Sequence, residues 1–371
     1  MPQPQELAAT LRERKRAFEE AGTESPALSA ELLLAHALGL DRQELLRLML
    51  MEPKRALSAE EAGRFSAYAA RRLQGEPVAY ITGSKEFYGR DFTVTPATLI
   101  PRPETELIVD KALELFGSAA ESSNNTHKTS QPRFFADFGT GSGCLAVTLA
   151  LELNQAAASG AQSDAATAQE AAWRGLALDI SHDALQAAAA NAARLGAAQR
   201  LEFRQADFSV PLPQLLEAVN SPLIGAGTLD LLVSNPPYVS ETEYRTIAVE
   251  VRKYEPRSAL VPAVDKPMPD GSELLPLLSS TALRLLKSGG VFLMEIGHDQ
   301  GDFMRALLQS QSCVARQIGP ESGSQNAALP SELSGTANAS GQPEAPGPCW
   351  LEWEVMQDLA GLDRTVFARK K

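Results

Sequence analysis

The sequence predicts an α/β protein: a mostly parallel sheet covered by helices on both faces, preceded by a small helical domain. Two patterns carry that expectation. From Arg133 onward, short apolar runs alternate with longer stretches of helical periodicity, as in strands joined by crossover helices. Before Gln74, apolar residues recur at helical spacing instead, at Leu34 and Leu38 and again at Leu45 and Leu48. With 371 residues, 44% of them hydrophobic and 22% charged, the chain is ordinary for a globular protein and long enough for two domains.

Taken in order, residues 1–74 read as a helical domain, either a partner-docking module or a structural appendage, with Asp41 and Ser58 as N-caps. Its basic and acidic residues number eleven each and are intermixed, which suits a solvated surface rather than a phosphate-binding face. Residues 75–100 read as a β-hairpin linker built from Tyr80-Ile-Thr-Gly83 and Phe87 to Val94, with Gly89 near the turn. The α/β domain then spans residues 101–371. Pro101-Arg-Pro-Glu-Thr-Glu106 leads into its first helix, where proline and acids suit an N-terminus. Strands are expected at Arg133–Phe138, Gly175–Asp179, Leu201–Gln205, Leu229–Ser234 and Val291–Ile296. Helices are expected at Cys144–Leu153, at Ser181–Leu195 with Ser181 as cap and Gly196 as stop, and from about Ser272 to Leu286.

Three stretches, Gly117–Gln131, Gln155–Gln169 and Gly319–Gly347, are rich in small and polar residues. They have too little apolar surface to offset the entropy of ordering, and they are expected to be inserted surface loops. For Gln155–Gln169, alanine content makes a longer helix the competing reading.

Net charge is -12 and the pI about 5.0, so the chain as a whole has no general attraction for nucleic acid or an anionic membrane. No apolar run approaches the roughly 20 residues needed to span a bilayer, and Met1 to Glu6 lacks a basic, then apolar, leader pattern. A cytoplasmic protein is expected. Cys144, Cys313 and Cys349 are odd in number and scattered, supporting neither a disulfide framework nor a zinc site. His36, His127, His182 and His298 do not cluster, and no metal is expected.

The chemistry-bearing motifs fall at strand ends, where ligands of parallel sheets sit. After the first strand stands Asp137-Phe-Gly139-Thr140-Gly141-Ser-Gly143-Cys144, a glycine turn that lets backbone N–H groups and a helix N-terminus approach a ligand. A dinucleotide fingerprint would need glycine at position 144, and a phosphate loop would need a lysine; neither is present. The remaining pattern resembles the first motif of class I S-adenosylmethionine methyltransferases. Asp179 ends the second strand, where a carboxylate can accept from both ribose hydroxyls. It lies 36 residues past Gly143, a long interval that the Gln155–Gln169 stretch explains. Asp207-Phe208 follows the third strand, in the place where such enzymes offer an acceptor to the adenine amino group and an apolar face to its ring. Cys144 has a helix N-terminus but no base beside it in sequence, so packing is its expected role.

Asn235-Pro236-Pro237-Tyr238 directly follows the strand ending at Ser234. Two prolines cannot continue a ladder, so the chain must leave the sheet there. An amide or exocyclic amino nitrogen is a poor nucleophile because its lone pair is delocalised. The Asn235 side-chain oxygen and the Pro236 carbonyl can each accept one of its N–H groups, while Tyr238 walls the planar group.

Together with Pro101-Arg102-Pro103-Glu104-Thr-Glu106 and Leu359-Ala-Gly-Leu-Asp-Arg364, these residues make the chain resemble the HemK-like family of protein-(glutamine-N5) methyltransferases over nearly its whole length. The resemblance implies a Rossmann-like, mostly parallel seven-stranded sheet, S-adenosyl-L-methionine as cofactor, and methylation of the glutamine in the Gly-Gly-Gln motif of peptide chain release factors. By that carry-over Asp137, Gly139, Thr140, Gly141, Gly143, Asp179, Asp207, Phe208 and Asn235 bind the cofactor. Asn235, Pro236, Pro237 and Tyr238 hold the glutamine amide, with Pro101 to Glu104 nearby, and the helical domain docks the release factor. The protein is expected to act as a monomer. A ribosomal-protein glutamine shares every one of these motifs as an alternative target. An adenine-N6 nucleic-acid methyltransferase would need a basic target-recognition surface, and a non-catalytic binding protein would not need the tetrad.

Overall fold

The computed structural model describes residues 6–117, 132–160, 172–263, 268–313 and 348–371. Most of the three expected loops therefore lies outside the described residues, in spans 118–131, 161–171 and 314–347. Where the second stretch is described, it is helix: Cys144–Gly160 continues past Leu153 through an alanine run, as high helix propensity favours.

The described chain divides into two compact units. The first comprises the chain up to Lys85, with Thr93–Pro96 and Ile247–Pro256. Helices Leu7–Glu20, Pro26–Leu38, Arg42–Met51 and Ala59–Leu73 pack around Phe18, Leu33, Leu34, Leu45 and Phe65, all fully buried. Asp41 and Ser58 each close a reciprocal capping box, with Glu44 and Glu61 three residues on. The segment from residue 247 joins this unit through polar contacts. Buried Arg72 pairs with Glu250, and the Tyr254 hydroxyl donates to the Gln74 carbonyl at 3.0 Å. Removing Glu250 would leave Arg72 as a buried unpaired charge.

One expectation fails here. Tyr80-Ile-Thr is part of a short helix, Val78–Thr82, opened after Pro77 and closed by Gly83 at φ 73°. A proline start and a left-handed glycine stop outweigh the β propensity of three residues. The hairpin strands are β1, Ser84–Phe87, and β2, Arg90–Thr93. Both turn residues, Tyr88 and Gly89, have positive φ, 52° and 72°, as a two-residue hairpin turn of this hand requires.

The second unit is built on a seven-stranded sheet of order β5-β4-β3-β6-β7-β9-β8. Its strands are β3 (Arg133–Phe138), β4 (Trp173–Asp179), β5 (Leu201–Gln205), β6 (Leu229–Ser234), β7 (Leu286–Glu295), β8 (Trp350–Gln357) and β9 (Asp363–Lys370). The first five run parallel, and β9 and β8 add an antiparallel edge. Strand β7 begins earlier than apolar content predicts, with Leu286 paired to Leu229 and the register shifting before Val291 meets Leu231. Alternate side chains feed two cores. Phe138, Leu176, Leu232 and Phe292 point to one, and Phe135, Ala177, Val233 and Leu293 to the other. Gly175 has no room for a side chain, since a Cβ there would overlap the Phe135 ring.

The strand order reverses at β3, with β4 on one side and β6 on the other; ligands of open parallel sheets bind at such a reversal, outside the carboxyl ends of the strands. At the far edge a second expectation is corrected: Cys313 and Cys349 form a disulfide, leaving Cys144 as the free cysteine. Their separation of 36 residues hides the pairing in sequence. The fold supplies it, because Ser312 bridges to Trp350 and Cys313 N–H donates to the Trp350 carbonyl at 2.9 Å, which brings the two Cα atoms to 5.1 Å. Among the described residues no helix is long and apolar enough to cross a membrane.

Candidate active site

The glycine turn after β3 is held by backbone bonds to its neighbour β4. Gly139 and Thr140 N–H both donate to the Leu178 carbonyl, at 2.9 and 2.8 Å. Gly141 N–H donates to Asp179 Oδ2 at 2.9 Å, while Asp179 Oδ1 accepts from Ser181 N–H at 2.9 Å. Each carboxylate oxygen of Asp179 thus keeps a lone pair for a further donor. Gly143, at φ 81°, lies where a Cβ would come within 3.0 Å of Ala188 Cβ, so glycine lets the helix His182–Leu195 close against the turn. At Gly141, φ 56°, a Cβ would meet no atom within 4 Å: the turn faces open space there.

Asp137 is fully buried beneath the turn and accepts from the Thr140 hydroxyl at 2.7 Å. Burial, reinforced by the charge of Asp179, pushes its carboxyl up to about 7. Burial likewise raises Asp179, against the pull of its backbone N–H donors. Asp207 lies past β5 and accepts from the Ser209 N–H and hydroxyl at 2.8 and 2.6 Å, and the Phe208 ring stacks on Phe138 at 5.8 Å. The Cys144 thiol is pushed up to about 12 by burial and by the Asp137 carboxylate beside it, so it packs as a neutral thiol.

The tetrad leaves the end of β6, directly beside that turn, since Ser234 pairs with Phe138. Asn235 Nδ2 donates to Thr105 Oγ1 at 3.0 Å, and the Thr105 hydroxyl donates to Glu295 Oε2 at 2.5 Å. The Tyr238 hydroxyl donates to the other Glu295 oxygen at 3.0 Å. Behind the tetrad, Gln300 Nε2 donates to the carbonyls of Tyr238 and Asp270, at 3.1 and 2.7 Å. Gly271 packs so close that a Cβ would overlap the Tyr238 carbonyl. Burial, reinforced by Glu295, raises the Tyr238 phenol and keeps it a neutral donor. Pro101, Arg102, Pro103 and Glu104 immediately precede Thr105, in the turn that starts the helix Glu106–Phe116. Among the described residues no group of three or more His, Cys, Asp or Glu side chains could hold a metal.

Residues 9–83 match the PrmC N-terminal domain, and residues 135–338 match a methyltransferase domain. Over 98% of its length the chain is 38% identical to the release factor glutamine methyltransferase of Nitratidesulfovibrio vulgaris, covering 95% of that protein. The chain belongs to the release factor glutamine methyltransferase family. Relatives of the same name in Chlorobaculum tepidum, 40% identical over 79% of this chain and 86% of theirs, and in Koribacter versatilis, 39% identical over 95% and 94%, share it.

Within this family member, the sheet brings the glycine turn, Asp179 and the tetrad to neighbouring strand ends. Sequence reading passed over Thr105, Glu295 and Gln300. Thr105 lies inside the quoted Pro101–Glu106 motif but has a side chain of no special chemistry. Glu295 did offer a signal: it is the one acid closing the apolar run Val291–Met294, at the end of the strand where ligands sit.

Proposed function

We propose that this chain transfers the methyl group of S-adenosyl-L-methionine to the side-chain amide nitrogen of the glutamine in the Gly-Gly-Gln motif of peptide chain release factors. The observation that carries this reading is the adjacency of two motifs: the glycine turn ends β3, and Asn235-Pro-Pro-Tyr ends the β6 strand paired to it. The residues suit the cofactor. The open space above Gly141 admits a ligand against the backbone, and Asp179 has lone pairs for vicinal hydroxyls. Asp207 can accept from an amino group beside the Phe208 ring. Thr140, Gly139 and Gly143 shape the turn around the ligand.

When bound, the cofactor supplies an electrophilic methyl group. The chain supplies orientation. Asn235 Oδ1 and the Pro236 carbonyl each accept one N–H of the substrate amide, turning the nitrogen lone pair toward the methyl, and the Tyr238 ring walls the plane. Transfer would exchange the methyl–sulfur bond for a methyl–nitrogen bond, with the electron pair of the broken bond staying on sulfur as a neutral thioether and one amide proton passing to solvent. The acceptors Asn235 Oδ1 and the Pro236 carbonyl, already on both N–H bonds, would favour that loss. Pro237 stiffens the loop, and Pro101 to Glu104 border the site.

The same reading assigns residues 1–74 to docking the release factor, 75–100 to a linker and 101–371 to catalysis, in a cytoplasmic monomer. A tetrad can grip only an amide and its immediate backbone, so selectivity over other glutamines needs a second contact surface. The test is mass spectrometry of the tryptic Gly-Gly-Gln peptide after incubation with the cofactor, comparing intact release factor with a short peptide of the same sequence. A 14-dalton gain on the glutamine, far faster on the intact factor, is expected. Absence of that gain would remove the assignment, and equal rates would remove the docking role.

A further inference from the structure

Thr105 and Glu295 lie under Asn235, and each is nearly sealed from solvent, at 2% and 1% exposure. They arrive from distant parts of the chain, the turn at Pro103–Thr105 and the end of β7. Packing alone would favour apolar side chains in both places, because a buried carboxyl needs compensating partners. Here the partners form one directed chain: Asn235 Nδ2 to Thr105 Oγ1 to Glu295 Oε2, with Tyr238 donating to Glu295 Oε1.

The direction of that chain follows from proton counting. A carboxylate only accepts, and Glu295 accepts from two hydroxyls. The single proton of Thr105 is therefore committed to Glu295, and only a lone pair is left for Asn235. Of the two ends of the Asn235 amide, only the NH2 end can meet a lone pair. The reversed amide would set its oxygen against Thr105 Oγ1 with no proton between them. Asn235 Oδ1 is thereby sent the other way, and its polarity is decided two residues down the chain of bonds. This requires Glu295 as the carboxylate. Burial, with Glu104 adding to it, raises the Glu295 carboxyl above its ordinary value; the hydrogen bonds donated by Thr105 and Tyr238 and the charge of Arg364 oppose that rise and stabilise the carboxylate.

We propose that Thr105 and Glu295 are positioning residues that lock the Asn235 amide with its oxygen toward the substrate, so that the site accepts an N–H and rejects a carbonyl at that point. The inference rests on the reading of Asn235 given above and adds a selection to it. A glutamine side chain has two ends of almost equal size, and only one can be methylated usefully. An acceptor fixed in place admits the NH2 end, whereas an amide free to flip would also hold the substrate with its oxygen facing the methyl.

Thr105→Val keeps the shape of the side chain and removes the hydroxyl. With release factor and saturating cofactor, it should lower kcat by about tenfold or more while KM for the factor and cofactor affinity stay within about twofold, since binding is made elsewhere. Thr105→Ser, which restores the hydroxyl, should recover most of the lost turnover. Glu295→Gln, which can donate to Thr105 and so release its proton toward Asn235, should lower kcat in the same way. Asn235→Ala runs beside them. If Asn235→Ala is inactive but Thr105→Val turns over like the unmodified enzyme, the inference fails and the reading of Asn235 stands. If Asn235→Ala is itself fully active, both fall. If Thr105→Val and Thr105→Ser lose activity equally, with cofactor affinity falling in step, Thr105 is only a packing residue and the inference fails.

Discussion

The turn after β3 and the tetrad after β6 leave adjacent strands of one sheet, yet they are held in shape by different means. The turn is fixed by its own backbone and by the next strand: three left-handed glycines, two N–H donors on the Leu178 carbonyl, and one on Asp179. The tetrad has prolines that end the ladder but little that fixes its side chains. Thr105, Glu295, Gln300 and Gly271 do that, from four separate positions in the chain. A backbone-built site tolerates change in its surroundings and fails when its few special residues are lost. A side-chain-built site can be weakened from many places, each leaving the rest intact.

The largest expected effect comes from the turn. Asp137 has an ordinary carboxyl value of 3.8 when the chain is unfolded and about 7 in the fold. Below pH ~4 both states are protonated, and the contribution is fully present; as pH rises toward 7 the unfolded chain releases a proton that the folded one retains, and stability is lost. At about 1.4 kcal/mol per unit the loss approaches ~4 kcal/mol. Asp137→Asn should flatten the dependence of denaturant midpoint on pH across that window. An unchanged slope would mean that the buried acid is compensated by groups outside the turn.

A smaller effect, still on the turn, is expected for Asp179→Ala. Cofactor binding measured by calorimetry should weaken by about ten- to a hundredfold through loss of charge-assisted bonds, with turnover at saturating cofactor largely kept. Loss of turnover with unchanged affinity would erase the distinction between the two strand ends. Smallest is Gln300→Ala, behind the tetrad. It should lower kcat by about fivefold and leave cofactor affinity alone, because it loosens the Tyr238 carbonyl without touching the turn. A drop in cofactor affinity instead would show the two ends to be mechanically coupled.

The same contrast explains what could be read from the sequence. Strands β3 to β6, the caps Asp41, Ser58 and Ser181, and the stop at Gly196 are local features with local causes, and periodicity or turn chemistry exposes them. So do the glycine turn and the tetrad as motifs. The helix at Val78–Thr82 was obscured because five residues span too little of a helical period to outvote Tyr and Ile. The first half of β7 was hidden by Lys287-Ser-Gly-Gly290, which carries no apolar side chain and lies where the register with β6 shifts between Leu286 and Val291. Arg72 with Glu250, Thr105 with Glu295, and Cys313 with Cys349 are pairs joined only by the fold. Their separations of 178, 190 and 36 residues carry no periodicity that a single sequence can display.

The disulfide gives the molecule a covalent topology as well as a contact. Everything from residue 314 to 348 is closed into a ring whose neck is Cys313 and Cys349. A peptide bond cut anywhere in that ring would not shorten the molecule: β8 and β9 would stay tethered through sulfur, and the two fragments would part only under a reductant. The last strand of the sheet, which pairs with β7 beside the carboxylate under Asn235, is thus attached to the enzyme twice.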